Sequence, residues 1–118
     1  MNWNEHTSIC TYRVKKGARD KFVELLRLHW PTLHENGLAT DTPAIVFEAE
    51  NGSDNRDNEQ GTTFVEIFSW SRADAPHLAH QMPEVMAVWE PMGGLVEDRD
   101  GRPGMEYPGY RPLSLDET

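Results

Sequence analysis

The segment from Thr62 to Trp70 constrains the fold more than any other. Thr62, Phe64, Glu66, Phe68 and Trp70 alternate there with Thr63, Val65, Ile67 and Ser69. Side chains of a strand point alternately to its two faces. This strand therefore has three aromatic rings on one face and β-branched residues on the other. Both faces are substantially apolar, so both require cover. Glu66 shares the aromatic face, where a carboxylate must be paired or protonated. Arg13 or an arginine of a partner chain is the expected counterion, with an acid–base role for Glu66 as the alternative.

The rest of the chain supplies matching elements. His6 to Val14 reads as a strand through Ile9, Cys10, Tyr12 and Val14, and Lys15-Lys16-Gly17 as the turn out of it. Ala18 to Asn36 places Phe22, Leu25, Leu26, His29 and Leu33 on one stripe of a helix, closed by Gly37. Pro31 removes a backbone donor inside that span, which predicts a kink or break near Arg27 to Trp30. Ala44 to Glu50 is a second strand with Ile45 and Phe47 on one face. Asn51 to Gly61 reads as a long polar hairpin loop. A short helix is expected over about Asp74 to Gln81. Pro83 suits the first turn of another helix, about Glu84 to Val96, with Val85, Val88, Trp89, Met92, Leu95 and Val96 as its stripe. Met105 to Tyr110 gives a last strand weakened by Pro108. The tail after Arg111 is expected to be extended, with a neighbouring subunit as a place for it to lie.

Strand, helix, strand, strand, helix, strand is the order of an α+β, ferredoxin-like split βαββαβ fold. It implies a four-stranded antiparallel sheet with helices on one face. A single domain over residues 1–118 is expected, with a core at about 6–111 and a C-terminal tail at 112–118. The face without helices needs cover, and a second copy of the chain, giving a homodimer, is the expected source.

Composition narrows the function classes. The net charge of −9 argues against nucleic acid as a main partner, because phosphate binding needs a basic surface. The basic residues between Arg13 and Arg27 read as a solvated turn and helix face, with a patch for an anionic ligand as the alternative. The single cysteine, Cys10, excludes an intrachain disulfide and suits a reducing compartment. With no apolar run of ~20 residues and no signal-like N-terminus, a cytoplasmic protein without a membrane partner is expected.

Between Val65 and Trp89 the run Val65-Glu66-Ile67-Phe68-Ser69-Trp70-Ser71, followed by Ala75, His80, Pro83, Val85 and Trp89, resembles the antibiotic biosynthesis monooxygenase-like dimeric α/β barrels. Tyr12-Arg13-Val14-Lys15-Lys16-Gly17 followed by Phe22 suits that family's first strand and helix. The resemblance spans roughly residues 6 to 111. It implies dimerisation through the ferredoxin-like sheet, and a family that includes cofactor-free oxygenases, haem-degrading enzymes and proteins of unassigned activity. The haem-degrading branch uses an Asn on the first strand, a Trp after the third and a ligating His ten residues on. Here those places hold Cys10 or Tyr12, Ala79 or His80, and Trp89, so haem degradation is not expected and no bound cofactor is implied.

His80 is the candidate catalytic residue. A neutral imidazole just after the Trp70 strand can take a proton from a phenol or enol, and a deprotonated, electron-rich substrate can itself reduce oxygen. The other reading is that His80 caps its helix or packs on the sheet. Tyr12, Trp70 and Trp89 are expected to wall an aromatic pocket, or else to be ordinary core. His29 and Glu66 are further candidates for that lining, with His29 open to reading as a satisfied core histidine. His77, His80 and Glu84 share a helical face, which is a weak start for a metal site, and no metal is expected. Cys10 reads as a small buried apolar residue. The leading expectation is a small homodimeric, cofactor-independent, monooxygenase-like protein acting on an electron-rich aromatic or polycyclic compound. A non-catalytic small-molecule binder and a purely structural dimer stay open as alternatives.

Overall fold

The computed structural model describes residues 3–50 and 61–116. In chain order the elements are β1 (Thr7–Arg13), α1 (Arg19–Glu35), β2 (Ile45–Glu48), β3 (Thr63–Ser69), α2 (Ala75–Ala79), α3 (Pro83–Gly94), β4 (Met105–Glu106) and β5 (Gly109–Tyr110). The expected hairpin loop lies outside the described residues apart from Gly61.

β1 and β3 form the centre of an antiparallel sheet, paired from Thr7 opposite Ser69 to Arg13 opposite Thr63. β2 adds outside β3, with Ile45 opposite Ile67 and Phe47 opposite Val65. The last strand is divided. Met105 pairs with Tyr12 and Tyr110 with Thr7, and Pro108 lies between. Proline cannot donate to a ladder, yet its carbonyl still accepts from the Ile9 N–H at 3.2 Å. β4 and β5 thus share one edge of β1, and the sheet order β2-β3-β1-β4 is that of the ferredoxin-like fold. Gly61 enters β3 so close to the Val14 carbonyl and the Lys15–Lys16 backbone that no Cβ would fit there.

The expected break in the first helix is absent. α1 runs through Pro31 without interruption. Arg27, whose carbonyl loses its partner, and Pro31 are both exposed, so the freed oxygen lies where solvent can reach it. Phe22, Leu26 and Leu33 of α1, with Val85, Val88 and Met92 of α3, bury their side chains with Tyr12, Val14, Phe64 and Phe68 of the sheet. The opposite sheet face is left thin. Ile45 and Phe47 are 44% and 56% exposed, and Ile9, Val65 and Ile67 beside them are only half-buried. No helix among the described residues is long and apolar enough to cross a membrane.

Candidate functional site

The strand alternation that puts Cys10, Tyr12, Glu66 and Phe68 on the helix side also shapes a cavity. α1 places His29 over this face and α3 places Trp89 and Met92. The space between is about 320 Å³, at the small end of the ~300–1,000 Å³ usual for ligand sites. Cys10, Tyr12, His29, Phe68 and Met92 line its deep end and are buried. His80, Tyr107 and Gly109 line it and are exposed, so they mark its mouth. Trp70 and Trp89 lie between, edge to face with ring centres 6.4 Å apart. Among the described lining residues there is no Lys, Arg, Asp or Glu. An apolar, uncharged ligand fits such walls.

Behind the deep end runs a four-residue chain of hydrogen bonds. Tyr12 donates its hydroxyl proton to Glu66 Oε1 at 2.7 Å. His29 Nδ1 lies 2.8 Å from the same oxygen and 3.0 Å from Oε2. Trp89 Nε1 lies 2.8 Å from His29 Nε2. An indole N–H can only donate, so His29 Nε2 accepts and the proton of the neutral imidazole sits on Nδ1. That proton points at Glu66. The donors Trp89 to His29 to Glu66, and Tyr12 to Glu66, thus converge on a carboxylate with no solvent exposure. Burial, then the Glu66 charge, pushes the Cys10 thiol up from 9.0 to about 12. The same causes hold the Tyr12 phenol well above its usual range. Both therefore stay protonated at neutral pH.

Five of the six residues singled out from sequence, Tyr12, His29, Trp70, His80 and Trp89, line this cavity. Glu66 sits one layer behind it and reaches a ligand only through Tyr12 and His29. Its expected pairing with Arg13 is wrong. Arg13 has odd strand parity and lies on the other sheet face, where it meets Glu106 Oε1 at 2.6 Å and donates to the Pro103 carbonyl at 2.7 Å. His80 lines the cavity and is also tied to its own helix. Its Nδ1 is 2.8 Å from the Pro76 carbonyl, and its ring stands edge to face on Trp89 with centres 4.8 Å apart. His77 turns instead to Gln81, and no group of three His, Cys, Asp or Glu arranged to hold a metal occurs among the described residues. Sequence reasoning missed Ser8 and Tyr107. Ser8 was accessible through its parity with Cys10 and Tyr12. Tyr107 depends on how the interrupted last segment lies along β1, which no local pattern encodes.

No family model matches the chain, and no curated protein matches it in sequence. Its fold does match solved structures. One is SnoaB of Streptomyces nogalater, a cofactor-independent oxygenase, at 13% identity and TM-score 0.60, covering 94% of this chain and 97% of that one. A second is a candidate antibiotic biosynthesis monooxygenase of Nitrosomonas europaea, at 11% identity and TM-score 0.64, covering 98% of each chain. A third is a candidate protein of the same kind from Deinococcus radiodurans, at 18% identity and TM-score 0.61, covering 92% and 93%. The chain has the ferredoxin-like fold of the antibiotic biosynthesis monooxygenase proteins.

Proposed function

We propose that this protein is a monooxygenase-like oxidoreductase that acts, as a homodimer and without a bound cofactor, on a small, neutral, electron-rich aromatic compound. One observation carries the reading: a cavity walled by aromatic rings, with no Lys, Arg, Asp or Glu among its described lining residues, has an imidazole nitrogen at its mouth. A carbonyl only accepts, so His80 Nδ1 carries the proton that meets Pro76. In the neutral ring Nε2 then holds a lone pair, and it makes no hydrogen bond among the described residues. It is the atom that takes a proton from the ligand. The resulting anion spreads its charge over the rings and passes an electron to O2. Recombination and return of the proton from His80 give a hydroperoxide on carbon, and loss of water leaves a carbonyl. One oxygen atom enters the product and the other leaves as water, with every electron supplied by the substrate. The chain's part is orientation and a dry enclosure. The fold shared with SnoaB, a cofactor-independent oxygenase, supports this chemistry. The half-covered apolar sheet face supports the dimer.

The test is oxygen uptake, with product mass, over a panel of hydroxyaromatics and anthrone-like carbon acids. Uptake that yields a product heavier by one oxygen and lighter by two hydrogens agrees with the proposal. A ligand that saturates the cavity and is recovered unchanged under oxygen makes the protein a binder instead.

A further inference from the structure

We propose that the deep end of the cavity is a hydrogen-bond acceptor subsite, formed by Tyr12 Oη with Glu66 behind it, which selects a neutral ligand carrying a hydroxyl group. This rests on the reading of the cavity as a substrate site and adds what the substrate must present at its buried end.

The directions of the hydrogen bonds define the subsite. Tyr12 has one proton, and Glu66 Oε1 holds it at 2.7 Å. The phenolic oxygen therefore faces any further partner, the neighbouring Cys10 thiol included, with a lone pair only. His29 offers the ligand nothing, because Nδ1 is committed to Glu66 and Nε2 to Trp89. The remaining polar neighbours are weak. The thiol of Cys10 is a poor donor, and Ser8 Oγ reaches only to 3.4 Å, from Cys10 Sγ and from the Tyr107 carbonyl. A ligand hydroxyl that donates to Tyr12 extends a row of donors ending on a carboxylate, and such rows strengthen one another. A ligand ether oxygen at the same place sets lone pair against lone pair.

The charge of Glu66 works in the same sense. Its direct partners are Tyr12 and His29, with Trp89 donating to His29 in turn, and the expected cation, Arg13, lies on the far sheet face beside Glu106. A carboxylate held by Tyr12 and His29, with no Lys or Arg counterion against it among the described residues, acts across a short path of low polarisability. It repels an anionic ligand and polarises a neutral hydroxyl toward Tyr12.

The experiment compares naphthol, its methyl ether and naphthoate, with binding read from fluorescence quenching of Trp70 and Trp89 and checked by calorimetry. The expected order is naphthol, then the ether, then naphthoate, with about tenfold or more between the first two, as for loss of one buried hydrogen bond. Tyr12→Phe should erase the advantage of naphthol over the ether. Glu66→Gln, whose amide oxygen still accepts from Tyr12, should keep that advantage and relax the exclusion of naphthoate. Equal binding of naphthol and ether by the unaltered protein overturns the subsite, whatever the variants do. So does a Tyr12→Phe protein that keeps the preference. If none of the three probes binds, the substrate-cavity reading fails and takes the subsite with it.

Discussion

The indole N–H of Trp89 donates across 2.8 Å to Nε2 of His29, and this bond from α3 sets the tautomer of a buried imidazole on α1. With Nε2 occupied, the His29 proton is confined to Nδ1 and thereby to Glu66. Trp89→Phe removes the donor and leaves Nε2 facing the cavity. The expected results are a loss of about 1–3 kcal/mol in stability for the orphaned acceptor and a mixed tautomer population in nitrogen NMR of the imidazole. A variant that keeps a pure Nδ1–H tautomer would show that Glu66 alone orients the ring.

Cys10 gives the fold an alkaline limit. Its thiol ionises near 9.0 when exposed and at about 12 in the folded chain, so the folded state favours the protonated form. That contribution is fully present below pH 9 and is lost as the pH rises toward 12. Tyr12, also held up by burial and by Glu66, adds in the same direction at higher pH. Denaturant midpoints measured through this window should fall for the unaltered protein and fall less steeply for Cys10→Ala. At neutral pH the buried thiol should resist alkylation until the protein unfolds.

Strand alternation made much of this legible, because it acts locally. It placed Phe64, Glu66, Phe68 and Trp70 on one face, and the helical spacing of Phe22, His29 and Leu33 aimed His29 at them. Together these assemble most of the cavity. The partner of Glu66 was misjudged for a simple reason. Charge complementarity suggested Arg13, but Arg13 and Tyr12 are adjacent on one strand and so face opposite ways. Parity therefore gives Glu66 a phenol and an imidazole in place of a guanidinium. The mouth was less legible. Tyr107 and Gly109 reach it only because β4 and β5 bracket Pro108 along a single edge, a tertiary outcome that local sequence does not carry.

Phe47 tests the dimer. It is 56% exposed on the sheet face opposite the helices, next to Ile45, with half-buried Val65 across the ladder. Phe47→Glu puts a charge on the edge strand of that apolar face without touching the cavity. Sedimentation should show a dimer for the unaltered chain and a monomer for the variant, with helical content preserved. A variant that remains dimeric would move the interface elsewhere.

His80 separates catalysis from binding. It is exposed at the cavity mouth, its Nδ1 is tied to Pro76, and its Nε2 is the atom available to a ligand. His80→Ala should therefore leave stability within about 0.5 kcal/mol, as for a surface substitution. Oxygen uptake on a hydroxyaromatic substrate should fall about a hundredfold or more, the usual contribution of a general base. The deep subsite at Tyr12 is unaffected, so affinity for naphthol should persist. Because the mouth is open, added imidazole should restore part of the uptake, and the restored rate should follow the fraction of imidazole that is unprotonated. Full activity in the alanine variant would remove His80 from the chemistry. A loss of uptake that imidazole cannot repair, together with weakened naphthol binding, would mean that the ring holds the ligand in place by packing beside Trp89.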